Sequence, residues 1–224
     1  MSGKFFLIAA FYFASAFAAE IFIQSPRVSF NGEWGQYDEC PPGMYVIGFQ
    51  LISESDQGLF GDDSALGGIL LYCFSITARM NTPNFLSWFA SPKKYVMVSS
   101  TLGHAGNVRL PHECSFPEYA VGFELRADYD HGIVYDDTAA NNMRLICTDG
   151  SVVEGDGEPW GEWTGEQHCP RGFRVCGIRT QVEEEGTSDE TTLNNIELGC
   201  CQMVVIEIFS NVHGTPFLRP NTNM

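Results

Sequence analysis

Basic residues are scarce in this chain of 224 residues: 12 lysines and arginines face 28 aspartates and glutamates, a formal net charge of −16. A surface of that sign repels nucleic acid and anionic lipid, so no nucleic-acid or membrane partner is expected. It suits a basic secreted protein, or a neutral partner such as a glycan or glycoprotein. High charge also simply keeps a concentrated secreted protein dissolved. Catalytic signatures are missing too. There is no Gly-x-Ser-x-Gly elbow and no glycine-rich phosphate loop ahead of a helix. His104, His112, His131, His168 and His213 form neither His-x-His nor His-Glu-x-x-His, so no histidine metal centre and no cofactor is expected. No Asn-x-Ser/Thr sequon occurs, since Asn81-Thr82 runs into Pro83. Beyond the first stretch, no run is apolar enough for a spanning helix.

What is present at the start is an export signal. Lys4 precedes FFLIAAFYFASAFAA, about 15 residues against the ~20 a spanning helix needs. Ala16-Phe17-Ala18 sets small residues where a signal peptidase reads. Residues 1–19 are expected to be a signal peptide cut near Ala18 or Ala19. All eight cysteines lie beyond it. An even count in an oxidising compartment predicts four disulfides in a secreted, extracellular protein.

The phrase ECPPGMYVIGFQL, residues 39–51, returns as ECSFPEYAVGFEL from Glu113 and as HCPRGFRVCGIRT from His168. A shift of 74 positions lays Cys40 on Cys114, Gly48-Phe49 on Gly122-Phe123, Asp62-Asp63 on Asp136-Asp137 and Cys73 on Cys147, without a gap. A third copy begins at Cys169, and after a two-residue gap Asp189-Glu190 and Cys200 take the corresponding slots. Each copy alternates in polarity. Ile47, Phe49 and Leu51 face one way, as do Val121, Phe123 and Leu125. In the second half Ile69 and Leu71, Met143 and Leu145, and Ile196 and Leu198 do the same, while Leu70, Arg144 and Glu197 share an outward slot. Period-two alternation broken by Gly, Asp and Asn predicts half-buried antiparallel strands joined by turns. One such unit cannot bury its apolar face alone; three around a common axis can. The expected fold is therefore all-β, with copies at about 31–73, 105–147 and 160–201 in one domain over 20–209 and a loose tail over 210–224. The lead-in IFIQSPRVSF is expected to pair with VVIEIF, after Cys201, and so close the ring.

Each copy opens and closes on a cysteine, which pairs Cys40 with Cys73, Cys114 with Cys147 and Cys169 with Cys200, and leaves Cys176 for Cys201. In the third copy strand parity disagrees. Cys176 occupies the inward slot of Ile47, and Cys200 and Cys201 point to opposite faces, which favours Cys176 with Cys200. Repeat symmetry is preferred here. Adjacent cysteines are not a zinc spacing, so no metal is expected.

Two sets of residues are candidates for a site. Asp62, Asp63, Asp136, Asp137, Asp189 and Glu190 offer paired carboxylates for acid–base work on a glycosidic bond. A pair in every copy, each followed by Ser or Thr, reads more naturally as turn capping. Trp34, Trp88, Trp160 and Trp163 offer rings on which sugars stack, or rings that pack across strands; Trp88 is the better exposed candidate.

The phrases GEWG and CPxG, the Gly-Phe that follows, and the closing GDDSALGGILLYC, DDTAANNMRLIC and SDETTLNNIELGC resemble the vitelline membrane outer layer protein I family. The resemblance runs from about Asn31 to Cys201. It implies a β-prism: three antiparallel Greek-key sheets around an internal pseudo-threefold axis. It also implies secretion into an egg envelope's outer layer or a similar coat, and keeps open a weak transfer activity on N-acetylglucosamine oligomers. Three departures stand. The insert after Cys73 and the tail after Cys201 have no counterpart, and Val108-Arg109 replaces Trp34-Gly35 in the second copy.

Overall fold

The computed structural model describes residues 21–26, 31–54, 66–75, 95–103, 106–128, 139–183 and 192–203. Among them are strands and no helix. The first copy contributes two long strands, β4 (Met44–Ser53) and β5 (Leu66–Ser75), paired antiparallel. A short strand, β6 (Val96–Val98), lies on the outer side of β5, while β7 (Asn107–Val108) and β8 (His112–Glu113) lie on the other side, along β4. The order β7-β4-β5-β6, with every pairing antiparallel, is a Greek key.

The second sheet repeats this plan. Its long pair is β9 (Ala120–Ala127) and β10 (Ala140–Cys147), its outer strand β11 (Val152–Glu154), and its two short strands β12 (Glu162–Trp163) and β13 (Gln167–His168). The third has β14 (Phe173–Val182) and β15 (Leu193–Gln202) as its long pair. It is completed from the far end of the sequence by β1 (Ile21–Gln24), β2 (Glu33–Trp34) and β3 (Asp38–Glu39).

The copies are thus not self-contained, as the sequence repeat implies. The two short strands that open each copy pair with the long strand of the copy before: β7 and β8 with β4, β12 and β13 with β9, β2 and β3 with β14. The lead-in strand does close the ring, but its partner is β15, with Ile21 opposite Cys200 and Ile23 opposite Leu198. VVIEIF lies outside the described residues.

The three sheets form the walls of a β-prism. Phe49, Leu51, Ile69 and Leu71 meet Phe123, Leu125, Met143 and Leu145, and Ile178, Ile196 and Leu198, all fully buried in one cluster. Each such side chain contributes about 1.5–3 kcal/mol by leaving water. No sheet has enough of them to stand alone, and this is the physical reason for the triplication.

A β-bulge in each long pair revises the expected alternation. In the first sheet Val46 is opposite Cys73 and Gly48 is opposite Tyr72, so Ile47 is the extra residue. Val46, not Ile47, joins Phe49 and Leu51 in the core; Ile47 belongs to a second cluster with Tyr45, Tyr72 and Phe74. Val121 is the extra residue of the second sheet and is half-buried, and Cys176 that of the third.

The bulge also settles the cysteines. Because Cys176 is flipped off the inward face, it meets Cys201, and Cys200 is left for Cys169. Cys40–Cys73 and Cys114–Cys147 complete the set. Strand parity failed in copy three because it assumed an unbroken ladder. Loops of 33, 33, 31 and 25 residues correspond to roughly 3–4 kcal/mol per bridge in the chain-entropy account.

The glycine that follows each bulge is demanded by packing. A Cβ on Gly48 would lie 2.4 Å from the His112 carbonyl oxygen, one on Gly122 2.4 Å from that of Gln167, and one on Gly177 2.3 Å from the Tyr37 hydroxyl. The exchanged short strand of the following copy crosses at that point.

Candidate functional site

The outer faces of the second and third sheets carry the same construction. In the second, the Arg144 Nε donates to Glu124 at 2.7 Å, and the Arg144 guanidinium lies 4.5 Å from the centre of the Trp163 ring. Arg126 reaches the same ring at 5.8 Å and donates to the Gly161 carbonyl at 3.0 Å. Glu124 is almost fully buried and also accepts from the Gly165 amide at 2.7 Å. In the third sheet Arg179 donates to Glu197 at 3.0 Å and covers Trp34 at 5.0 Å. Cation–π contacts of this kind contribute about 0.5–2 kcal/mol, more as water is excluded.

Trp34 and Trp163 therefore pack across strands over guanidinium groups, and both remain half-buried. Trp160 is also half-buried, in the segment that leads into β12. Trp88 lies outside the described residues, as do Asp62, Asp63, Asp136, Asp137, Asp189 and Glu190. The arginine–glutamate pairs are not among the sequence candidates, although the sequence carries a signal for them. The outward slot of Leu70, Arg144 and Glu197 faces Gln50, Glu124 and Arg179 across the long pair. The charges of the second and third copies are complementary, with their order exchanged.

The two ends of the prism differ. At one end Tyr45, Tyr119 and Arg174 share one repeat position. Tyr45 and Tyr119 meet edge-on at 6.0 Å, and the Tyr45 hydroxyl donates to the Gln202 carbonyl at 3.0 Å. Burial pulls the Arg174 guanidinium below its ordinary value, while Glu118, Tyr45 and Tyr119 push it back up. The other end is lined by buried amides: Asn141, Asn142, Gln181, Asn194 and Asn195. Asn142 donates to the Gly155 carbonyl at 3.0 Å and accepts from the Met143 amide at 2.8 Å; Asn195 donates to Gln181 at 2.7 Å, and Gln181 to the Gly32 carbonyl at 2.9 Å. Asn142 of the second closing phrase thus serves the backbone directly, and Asn195 of the third serves it through Gln181.

Between the first and second sheets a polar seam links the walls. Arg109 pairs with Glu158 at 3.3 Å and donates to the Ser53 hydroxyl at 2.6 Å; His112 lies 3.3 Å from Asp156, which also accepts from the Leu110 amide at 3.1 Å. Glu39, Cys176 and Cys201 are close enough together to hold an ion. Both sulfurs, however, are spent in a disulfide, so they offer no thiolate.

Greek-key walls around one core, with a disulfide joining the opening segment of each copy to its closing long strand, define the molecule as a cystine-braced β-prism. The family model of vitelline membrane outer layer protein I matches residues 21–203, and the chain belongs to that family. That match takes in β1, in keeping with its place in the third sheet. A human vitelline membrane outer layer protein 1 homolog is 36% identical over 181 residues, 79% of this chain and 82% of its own length. The mouse homolog is 35% identical over 174 residues, 76% and 78% of the two chains. Among solved structures, a mannose-binding lectin from Champedak is similar with a TM-score of 0.49 at 9% identity, covering 81% of this chain and 97% of its own. A mannose-binding jacalin-related lectin from Ananas comosus is similar with a TM-score of 0.47 at 9% identity, covering 82% and 98%. Likenesses of that strength leave the binding properties with those proteins.

Proposed function

We propose that this chain is a secreted, structural component of an extracellular coat of the egg-envelope kind, held to glycoproteins or to basic secreted neighbours. The observation that carries this reading is the covalent bracing. Four disulfides tie all eight cysteines, and of the three that join long strands to their own copy's opening segment, five of the six cysteines are buried and Cys169 packs against the core. A protein built this way resists unfolding outside the cell, where no reductant or chaperone maintains it. The acidic surface supports a cationic neighbour, and family membership supports the coat.

The test is fractionation of the tissue that makes the protein. The chain should be found, minus residues 1–19, in the washed insoluble extracellular layer, and high salt should release the part held by basic neighbours. Recovery of the chain only from inside cells, with its leader intact, refutes the reading.

A second reading, glycan binding, is supported by the half-exposed Trp34, Trp160 and Trp163. A glycan array separates the two, and chito-oligosaccharides serve as the probe for turnover. Loss of turnover on changing Asp62, Asp63, Asp136, Asp137, Asp189 or Glu190 to its amide in one copy only, with the fold kept, would assign an enzyme.

A further inference from the structure

The threefold plan supplies an internal comparison, and at one spot the third wall departs from the other two. Cys176–Cys201 has no counterpart elsewhere. The same positions hold Ile47 and Phe74 in the first wall and Val121 and Thr148 in the second, and both of those walls stand without a bond there. The ladder continues on either side of the bridge, with Val175 opposite Cys200 and Gly177 opposite Gly199, so β14 and β15 stay paired by their backbones. Two more residues change at the same place. The residue opposite the post-bulge glycine is Tyr72 in the first wall and Ile146 in the second, but Gly199 in the third. Tyr37 fills the room so left; its counterparts are Pro111 and Glu166. A Cβ on Gly177 or on Gly199 would collide with the Tyr37 hydroxyl, which is 4.0 Å from Cys176 Sγ.

We propose that Cys176–Cys201 is a thiol–disulfide exchange site, open to a cysteine of a neighbouring protein or to a small thiol. Exposure selects the sulfur that is attacked. Cys201 is half-exposed, whereas Cys176 is 2% exposed. An incoming thiolate forms a bond to Cys201 Sγ as the Cys201–Cys176 bond breaks, and the electron pair leaves on Cys176 Sγ. One thiol is consumed and one is released, so the step needs no oxidant or reductant. The Tyr37 hydroxyl is in place to donate to the departing thiolate. Once water has protonated that sulfur, the Gly199 carbonyl, 3.5 Å away, accepts from the thiol. The attacked sulfur has one charge of each sign beside it, Glu39 at 3.3 Å and Arg174 opposite in the ladder. Cys169 is also half-exposed, but attack there would release Cys200. That sulfur is buried and has no hydrogen-bonding partner among the described residues, and an unpartnered buried thiolate is costly. The exchange follows from this site alone and does not rest on the coat reading.

A short pulse of 2-mercaptoethanol on the purified, oxidised protein, at fixed pH, tests this. Acid quenching, maleimide alkylation and tandem mass spectrometry then map the adducts. An adduct at Cys201, with Cys176 alkylated in the same molecule, should form about tenfold faster than any adduct at Cys169. A neutral peptide bearing one cysteine, used in the same way, tells the two thiol sources apart. Its coupling at Cys201 supports a protein neighbour, and reaction of 2-mercaptoethanol alone supports a small thiol. Tyr37→Phe should slow the Cys201 reaction about threefold or more, while the Cys169 rate and the unfolding midpoint stay as in wild type; a tyrosine with a merely structural role would not separate the two rates. Cys176→Ser combined with Cys201→Ser should still fold, as circular dichroism will report. Adducts that appear first at Cys169, or nowhere until the fold opens, overturn the proposal. So does a Cys201 rate indifferent to Tyr37→Phe, or a double variant that fails to fold.

Discussion

Replacing Gly48 with alanine probes the strand exchange directly. The added carbon would sit 2.4 Å from the His112 carbonyl oxygen, 2.8 Å from Glu113 Cγ and 2.9 Å from Glu113 Cα. Ordinary contact needs about 3.5 Å, so β8 must retreat from β4 by roughly 1 Å. Strain retained in the fold costs about 1–3 kcal/mol. If β8 detaches instead, the fold loses its pairing with Gly48 and Phe49 and the bond from the Cys114 amide to the Ile47 carbonyl at 2.8 Å, at about 1 kcal/mol each. Either route gives a loss of roughly 1–3 kcal/mol. Gly43→Ala is the control. Nothing lies within 4 Å of that position, and only its φ of 78° resists a side chain, which costs about 1 kcal/mol. Guanidinium unfolding with all disulfides intact, followed by tryptophan fluorescence, gives both numbers. Amide exchange at Cys114 reports whether β8 has let go. A Gly48→Ala variant no less stable than Gly43→Ala, with Cys114 still protected, would refute the close-approach account of this glycine.

Other outcomes follow from the same geometry. Partial reduction should open Cys176–Cys201 and Cys169–Cys200 ahead of the other two bridges, because Cys201 and Cys169 are half-exposed while Cys40, Cys73, Cys114 and Cys147 are at most 5% exposed; peptide mapping after a short thiol pulse checks the order. A double-mutant cycle of Trp163→Ala with Arg144→Ala should return a coupling of about 1 kcal/mol in unfolding free energy, and no coupling would mean the stacking is incidental. Burial, with Glu113 next in weight, holds the Tyr72 hydroxyl above the ordinary value of 10.0. Its contribution to stability is complete below that value and is lost as pH rises through the folded one. Ultraviolet titration should therefore show a late-ionising tyrosine that Tyr72→Phe removes.

The repeat, its alternation and its three like-placed disulfides were legible because each is written in residues at fixed spacing. The exchange of short strands was not. Glu33-Trp34, Asn107-Val108 and Glu162-Trp163 are two-residue strands whose partners lie in another copy, and local composition has no means of naming a distant partner. The bulge was hidden for a related reason. Ile47, Val121 and Cys176 are each suited to an inward position, and only the opposing strand shows that one residue has been inserted. The arginine–glutamate pairs are half legible: the repeat puts Arg144 and Glu197 in one slot, but only the ladder shows that Glu124 and Arg179 answer them.

Because β1, β2 and β3 are made first and their partners β14 and β15 last, the third wall cannot form during synthesis. The earliest strands must wait with open edges until nearly the whole chain has emerged. Loss of the final strand would thus strand residues at the opposite terminus, and a truncated product would offer those edges to its neighbours. Completion of the third wall is governed by β14 and β15.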